Sequence, residues 1–437
     1  MKKGSRILIG VGCFALLLIS WCIVISSKST AEKQSELMRQ AAAFMEDGIY
    51  VRAVPLLEEA AGYSTPYTQK AEDELKRAYL ALINSAGYRR KYTDLLERQM
   101  DRKDAEPGVF EEAANYYLDL VKIPEALAVL KAGIAKTGSD ALIAIYENSR
   151  YSYEMNRTSY EYVSDAHGPT VQVMNDGLWG IARIEGVVMI PCQYEKISTF
   201  SGDRAIVMKD GEIFAVDSDN NRVAKLKGGA SDFGNFANER IPILIDGVWR
   251  RAYGDLTLGT VEFQQFGMYS EGCAAAQVAG KWGVIDSATS WIIPAEYDGV
   301  VMDGLGRSFA QGAAFVRNNG AVYLFADGRM IEDAYEDARP FSSEGYAAVK
   351  RGGKWGFIDA NGTLRIDFRF DDALSFGQHV AAVKLGELWG YIGISGCIVV
   401  EPVFLEAKSF SCGSAPVLTE RGWQFITFIE YKKGASL

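Results

Sequence analysis

The sequence predicts an α+β multidomain chain: an N-terminal transmembrane helix, a domain of α-helical hairpins, and a long all-β region of tandem repeats. Three observations predict it. Residues 7–25 form an uncharged apolar run, the stretch after it places apolar residues at three- and four-residue steps, and the remainder repeats itself roughly every 34 residues. In 437 residues, 48% hydrophobic and 23% charged content excludes a mostly disordered chain and suffices for several cores. The net charge of −10, with no long basic run, argues against nucleic acid as a partner. Glycine marks the main boundary: nine of the 44 glycines precede residue 166, and seven of the eight tryptophans follow residue 165. The domains read as 1–30, a cytoplasmic tip and signal anchor; 31–155, helical; and 156–437, about eight β-repeat units.

Lys2, Lys3 and Arg6 precede the apolar run. Nineteen helical residues reach roughly 28 Å, about the hydrocarbon thickness of a bilayer. Positive charge ahead of the run keeps the N-terminus in the cytoplasm and exports the rest. The segment reads either as a retained anchor or as a signal peptide cut after Ser29-Thr30-Ala31; its length favours the anchor. The expected location is therefore the cell membrane, single-pass with the bulk extracytoplasmic, or secreted if the segment is cleaved.

Residues 31–155 are rich in alanine, leucine and glutamate. Ala41, Phe44, Met45, Gly48, Tyr50, Ala53, Leu56, Leu57 and Ala60 describe two helices approaching through small residues, with Gly48 turning the chain. Similar pairs follow at Leu75 to Leu96 and Phe110 to Ile134. The pattern resembles degenerate tetratricopeptide-type hairpins, about three in number, which implies either a peptide groove or a stalk.

The β-region repeats units such as EGYAAVKRGGKWGFIDANGTLRIDFRFD from Glu344 and EGCAAAQVAGKWGVIDSATSWIIPAEYD from Glu271. Aligned, the units place Trp179, Ile213, Trp249, Trp282, Val322, Trp355, Trp389 and Trp423 at one position, with gaps of 34, 36, 33, 40, 33, 34 and 34 residues. Trp-Gly is intact at 179–180, 282–283, 355–356 and 389–390. It decays to Ile213-Phe214, Trp249-Arg250, Val322-Tyr323 and Trp423-Gln424. These residues resemble the WG-repeat family, whose hallmark is Lys-Trp-Gly followed by an Ile-Asp turn. The resemblance implies repeated β-structure and interaction roles, with no catalytic residue to carry over.

Within one unit, Tyr346 to Lys350, Lys354 to Asp359 and Thr363 to Phe368 read as three strands, with Ala360-Asn361-Gly362 as hairpin chemistry. The tryptophan is expected between adjacent units, the following glycine leaving room for its ring. Two architectures fit: a β-propeller-like closed ring or an open β-solenoid. Tyr160-Glu161 looks like the tail of a preceding unit and the last unit stops at Tyr431, which is what ring closure would use.

No reactive constellation emerges. Asp217-Ser218-Asp219-Asn220-Asn221 lacks the glycine and closing glutamate of a calcium loop and reads as a turn. Asp286 and Asp359 occupy equivalent places and cap turns. His167 and His379 read as structural. Cys192, Cys273, Cys397 and Cys412 show no metal-ligand spacing, and their disulfide state stays open. Tyr194, Tyr297, Tyr335 and Phe370 recur as packing aromatics; Trp291 stands outside the repeat position. The reading is a non-enzymatic, cofactor-free scaffold that binds a protein or peptide. Cell-wall or host glycan recognition is the alternative, and a site in the ring is a third.

Overall fold

The structure, a computed structural model, describes residues 29–226 and 229–431. The expected transmembrane segment lies outside them. Among the described residues no helix is long and apolar enough to cross a membrane. The chain divides after Tyr146 into two compact units.

The first unit is built of helices α1 (29–46), α2 (Tyr50–Ala61), α3 (Thr68–Ala81), α4 (Tyr88–Asp101), α5 (Pro107–Asp119) and α6 (Ile123–Thr137), followed by α7 (Asp140–Ser149). Gly48 and Gly87 adopt positive φ at the tight turns before α2 and α4, where a β-carbon would be strained. Gly133 does something else: a β-carbon there would lie 2.7 Å from Phe110 and Leu142, so its absence lets α5, α6 and α7 close up. Small and large apolar residues interlock in one core, with Ala41, Ala53, Leu57, Leu75, Ala78, Tyr79, Tyr92 and Leu95 buried together. The buried Glu72 is satisfied by Gln99 and Arg102, as a carboxylate inside a helical core must be.

The second unit holds eight four-stranded antiparallel sheets, blades 1 to 8. In blade 6 the strands are Asp337–Ala338, Tyr346–Arg351, Lys354–Asp359 and Leu364–Phe370, in that spatial order. The sequence anticipates three strands per unit; the fourth is only two residues long and too short to show alternation. Blade 8 takes its outer strand, Tyr153–Met155, from the other end of the repeat region. Tyr153 pairs with Phe428 and Met155 with Ile426, and Tyr160 bridges Trp423. The array is thus a closed eight-bladed propeller, and the open solenoid is excluded. The closing strand sits just ahead of Tyr160-Glu161, on the side that glycine content assigns to the helices, because a three-residue strand leaves no compositional mark.

The repeat position is the second residue of the third strand in every blade. There the tryptophan faces an aromatic at the end of the outer strand: Trp179 with Tyr194, Trp249 with Phe263, Trp282 with Tyr297, Trp355 with Phe370, Trp389 with Phe404.

The following glycine has a different role from the one expected. A β-carbon on Gly283 would lie 2.3 Å from the Ile293 carbonyl oxygen, and on Gly180, Gly356 and Gly390 the backbone of the outer strand is equally in the way. The ladder skips this residue: Trp282 pairs with Tyr297 but Val284 with Ile293, so the outer strand bulges over the glycine. Pro191 and Pro294 lie in that bulge, where a missing N–H costs no ladder bond. Where the glycine is lost, the residue in its place pairs directly, Phe214 with Lys225, Arg250 with Glu262 and Tyr323 with Ala334, and the register shifts further along the strand instead. The glycine is therefore found where the outer strand bulges directly over that position. Gly283→Ala should destabilise the ring by about 1–3 kcal/mol, whereas Tyr323→Ala, at a position that pairs directly with Ala334, should not show the steric part of that loss. Thermal melts of both variants read the difference; equal melting temperatures for Gly283→Ala and wild type would remove the steric explanation.

Candidate functional site

In the helical unit, α3 turns Ala71, Leu75, Ala78 and Tyr79 into the core. Its remaining stripe, Lys70, Glu74 and Arg77, faces a stripe of α1 at three- and four-residue steps: Ser35, Met38, Arg39, Ala42 and Met45. Between them lies a groove of about 530 Å³, with Tyr50 and Tyr67 at its edge. Its apolar lining is methionine and alanine, and its charged lining is Arg39, Lys70 and Arg77 with Glu46 and Glu74. Arg39 is paired with Glu36 and Arg77 with Glu74 along their own helices. Both pairs are exposed and weak enough to exchange for an incoming carboxylate.

In the ring, the loops after the two-residue strands of six blades line one cavity of about 310 Å³, with Asp165, Glu271, Arg307, Phe341, Phe376 and Phe410 in its wall. Six blades can share a cavity only around the ring axis. An aromatic recurs in these loops at Phe200, Phe236, Tyr269, Phe309, Phe341, Phe376 and Phe410, with Ala166 in the place of the eighth. The sequence reading missed this position, although it recurs with the repeat.

The 40-residue gap between Trp282 and Val322 also finds its cause here. Blade 5 inserts residues 302–307, and the insertion crosses the axis. Gly304 N–H donates to Asp165 Oδ2 at 3.1 Å, Arg307 donates to the Ala166 carbonyl at 3.2 Å, and Asn235 Nδ2 donates to the Leu305 carbonyl at 3.0 Å. Asn235 Oδ1 accepts in turn from Gln172 and Thr199, tying blades 1, 2, 3 and 5 together. Asp303 holds the insertion's own turn through the Leu305 and Arg307 N–H groups and the Arg307 guanidinium. Beside it, burial alone would pull the Lys408 ammonium down, but Asp165 at 3.3 Å helps to keep it above its ordinary value. His167 is pushed down to about 4, first by burial and then by Arg307.

At the rim, four of the blade junctions are tied by hydrogen bonds. Gln311 N–H donates to Glu271, His379 N–H to Glu344, Gly413 N–H to Gln378, and Ser411 Oγ to the Gly168 carbonyl. His379 contributes through its backbone, at positive φ.

Trp355, Trp389 and Trp423 are buried, while Trp179, Trp249 and Trp282 are half-buried. Asp286 Oδ1 accepts from the Ala288 and Ser290 N–H groups, and Asp359 Oδ1 from those of Asn361 and Thr363. Asp217 does the same, and the Asn221 N–H leads in holding its carboxyl below the usual range. These aspartates are consumed by turns. Tyr194, Tyr335 and Phe370 are buried, but Trp291 is 40% exposed on an outer strand. The four cysteines are free: Cys273 buried, Cys192 half-buried, Cys397 and Cys412 exposed.

Five segments match the family model of the WG containing repeat: 179–212, 282–320, 331–355, 355–389 and 389–423. The ring therefore carries WG-containing repeats. Among solved structures, the chain is similar to Hsv2 of Kluyvelomyces marxianus (10% identity, 59% of this chain and 93% of that one, TM-score 0.35). It is also similar to the Cps50 (Swd1) β-propeller domain of Myceliophteria thermophila (10%, 64% and 100%, 0.34) and to a eukaryotic initiation factor (12%, 58% and 78%, 0.38). No curated protein matches the chain.

The His167 environment sets a pH dependence. A free imidazole titrates near 6.5, so between there and about 4 the unfolded chain takes a proton that the ring does not. Stability from this residue is complete above pH 6.5 and should fall by roughly 3 kcal/mol as the pH drops through that window. Denaturant melts across pH 7 to 4.5 should show the slope, and His167→Gln should flatten it. An identical slope in the variant would place its origin elsewhere.

Proposed function

We propose that this chain of WG-containing repeats is a non-catalytic interaction protein, held at the cell membrane by its N-terminal apolar segment with its bulk outside the cytoplasm. It docks a peptide segment of a protein partner in the groove between α1 and α3. The observation that carries this reading is the groove itself: an adaptable floor of Met38, Ala42 and Met45 under Arg39, Lys70 and Arg77. The segment it fits has an apolar side chain flanked by acidic residues. Carboxylates spent on turns favour binding over catalysis in the ring.

Selection from short random peptides should enrich that pattern, and Met38→Glu combined with Lys70→Glu should weaken the selected peptides about tenfold or more. Both residues lie outside the core, so the fold should survive. Enrichment without the pattern, or binding indifferent to the double variant, would remove the groove from the reading.

Topology is tested separately, by protease shaving of intact cells carrying a C-terminal tag. Loss of the tag, with full-length protein in the membrane fraction, is expected; a tag protected until lysis would overturn the extracytoplasmic placement.

The exposed Trp291, beside the exposed Ile292, favours a second reading in which the ring stacks on a sugar face. A panel of soluble glycans that fails to bind would end it.

A further inference from the structure

Two residues beyond the repeat tryptophan, the blades place a fully buried apolar side chain: Ile181, Val284, Leu324, Phe357 and Tyr391 are all 0% exposed. Blade 3 departs from this. It carries Arg251, half-buried. The strand register puts Arg251 opposite Pro242 and Arg240 opposite Tyr253, so the two arginines are diagonal neighbours on one face of the sheet. Blade 4 packs on that face. The Arg251 guanidinium donates to Tyr269 Oη at 3.3 Å, to the Ser287 carbonyl at 2.7 Å and to Tyr253 Oη at 2.9 Å. The Arg240 guanidinium lies 5.5 Å from the centre of the Tyr269 ring and donates to the Asn238 carbonyl at 2.8 Å.

Two like charges held this close call for a counter-charge, and none of the ion pairs among the described residues involves Arg240 or Arg251. Glu239 and Asp255, the acids nearest in sequence, act on Arg204 of blade 2 instead. The Nε atoms of Arg240 and Arg251 are buried without an acceptor. A repeat gains nothing in stability by exchanging a core aliphatic for an unpaired cation. Departures of this kind mark functional positions.

We propose that Arg240 and Arg251, with the hydroxyl of the exposed Tyr253, form an oxyanion-binding site between blades 3 and 4. Guanidiniums take phosphate and carboxylate through paired charge-assisted hydrogen bonds. The ligand is an anionic group presented at this face, either a phosphate or a carboxylate. The site is independent of the helical groove and of its peptide.

The test is titration of the full-length protein with sodium phosphate and with sodium acetate, against sodium chloride at equal ionic strength. It is followed by calorimetry and by the fluorescence of the tryptophans, of which Trp249 lies on the same face. Saturable binding is expected with one oxyanion or both. A phosphate response assigns a phosphorylated ligand, and an acetate response a carboxylate. Arg251→Leu, the residue blade 5 uses, and Arg240→Thr, the residue blade 1 uses, should each weaken it roughly tenfold or more. Arg317→Thr, which breaks an ion pair between blades 5 and 6, should leave it unchanged. Saturation no different from chloride, or wild-type affinity in Arg251→Leu, overturns the site. Should Arg251→Leu fail to fold, Arg240→Thr and Arg251→Lys decide by the same readings.

Discussion

A four-stranded sheet of about thirty residues cannot bury either of its faces alone, and the ring answers that constraint. Most blades offer a tryptophan, or a smaller apolar residue, paired across strands with an aromatic, and the neighbouring blade covers it. Because the pair sits at the end of the outer strand, that strand must reach it, and the bulge over Gly180, Gly283, Gly356 and Gly390 is how it does so. The hallmark dipeptide is therefore one device: the ring of the first residue is placed by a strand whose path requires that the second have no side chain.

Against that uniform frame, the departures carry the individuality of the molecule. Blade 5 adds six residues and uses them to cross the axis. Blade 3 gives up the glycine, moves the register shift past Arg250, and gains Arg250 and Arg251, one paired with Glu262 and the other without an acid. Blade 1 replaces the loop aromatic with Ala166, whose carbonyl receives Arg307. A repeat protein can change one unit in this way because the stability of the others depends only on their neighbours.

Much of this is legible in the sequence, since periodicity survives where identity decays: Ile213 and Val322 stand where tryptophan does and are found by spacing alone. The helical hairpins are legible for the same reason, through three- and four-residue steps. What escaped is short or non-local. A two-residue strand has no alternation to detect, and the closing strand Tyr153–Met155 owes its identity to residues at the far end of the chain. The groove escaped because its side chains are ordinary surface residues until α1 and α3 stand side by side. The function of Gly283 escaped because spacing reveals that a glycine is needed and not what approaches it.

The closing strand has a consequence for how the protein is made. Asn156 accepts from the Phe425 N–H across 269 residues of sequence. During synthesis seven blades can form in order, yet the stack keeps two open ends until the last thirty or so residues emerge. For that interval the third strand's partner edge and the outer faces of the end blades are available to other chains. A ribosome that stops short of Phe428 would leave a nearly complete but permanently unsealed spiral. Strand Gly422–Phe428 thus decides whether the ring closes at all.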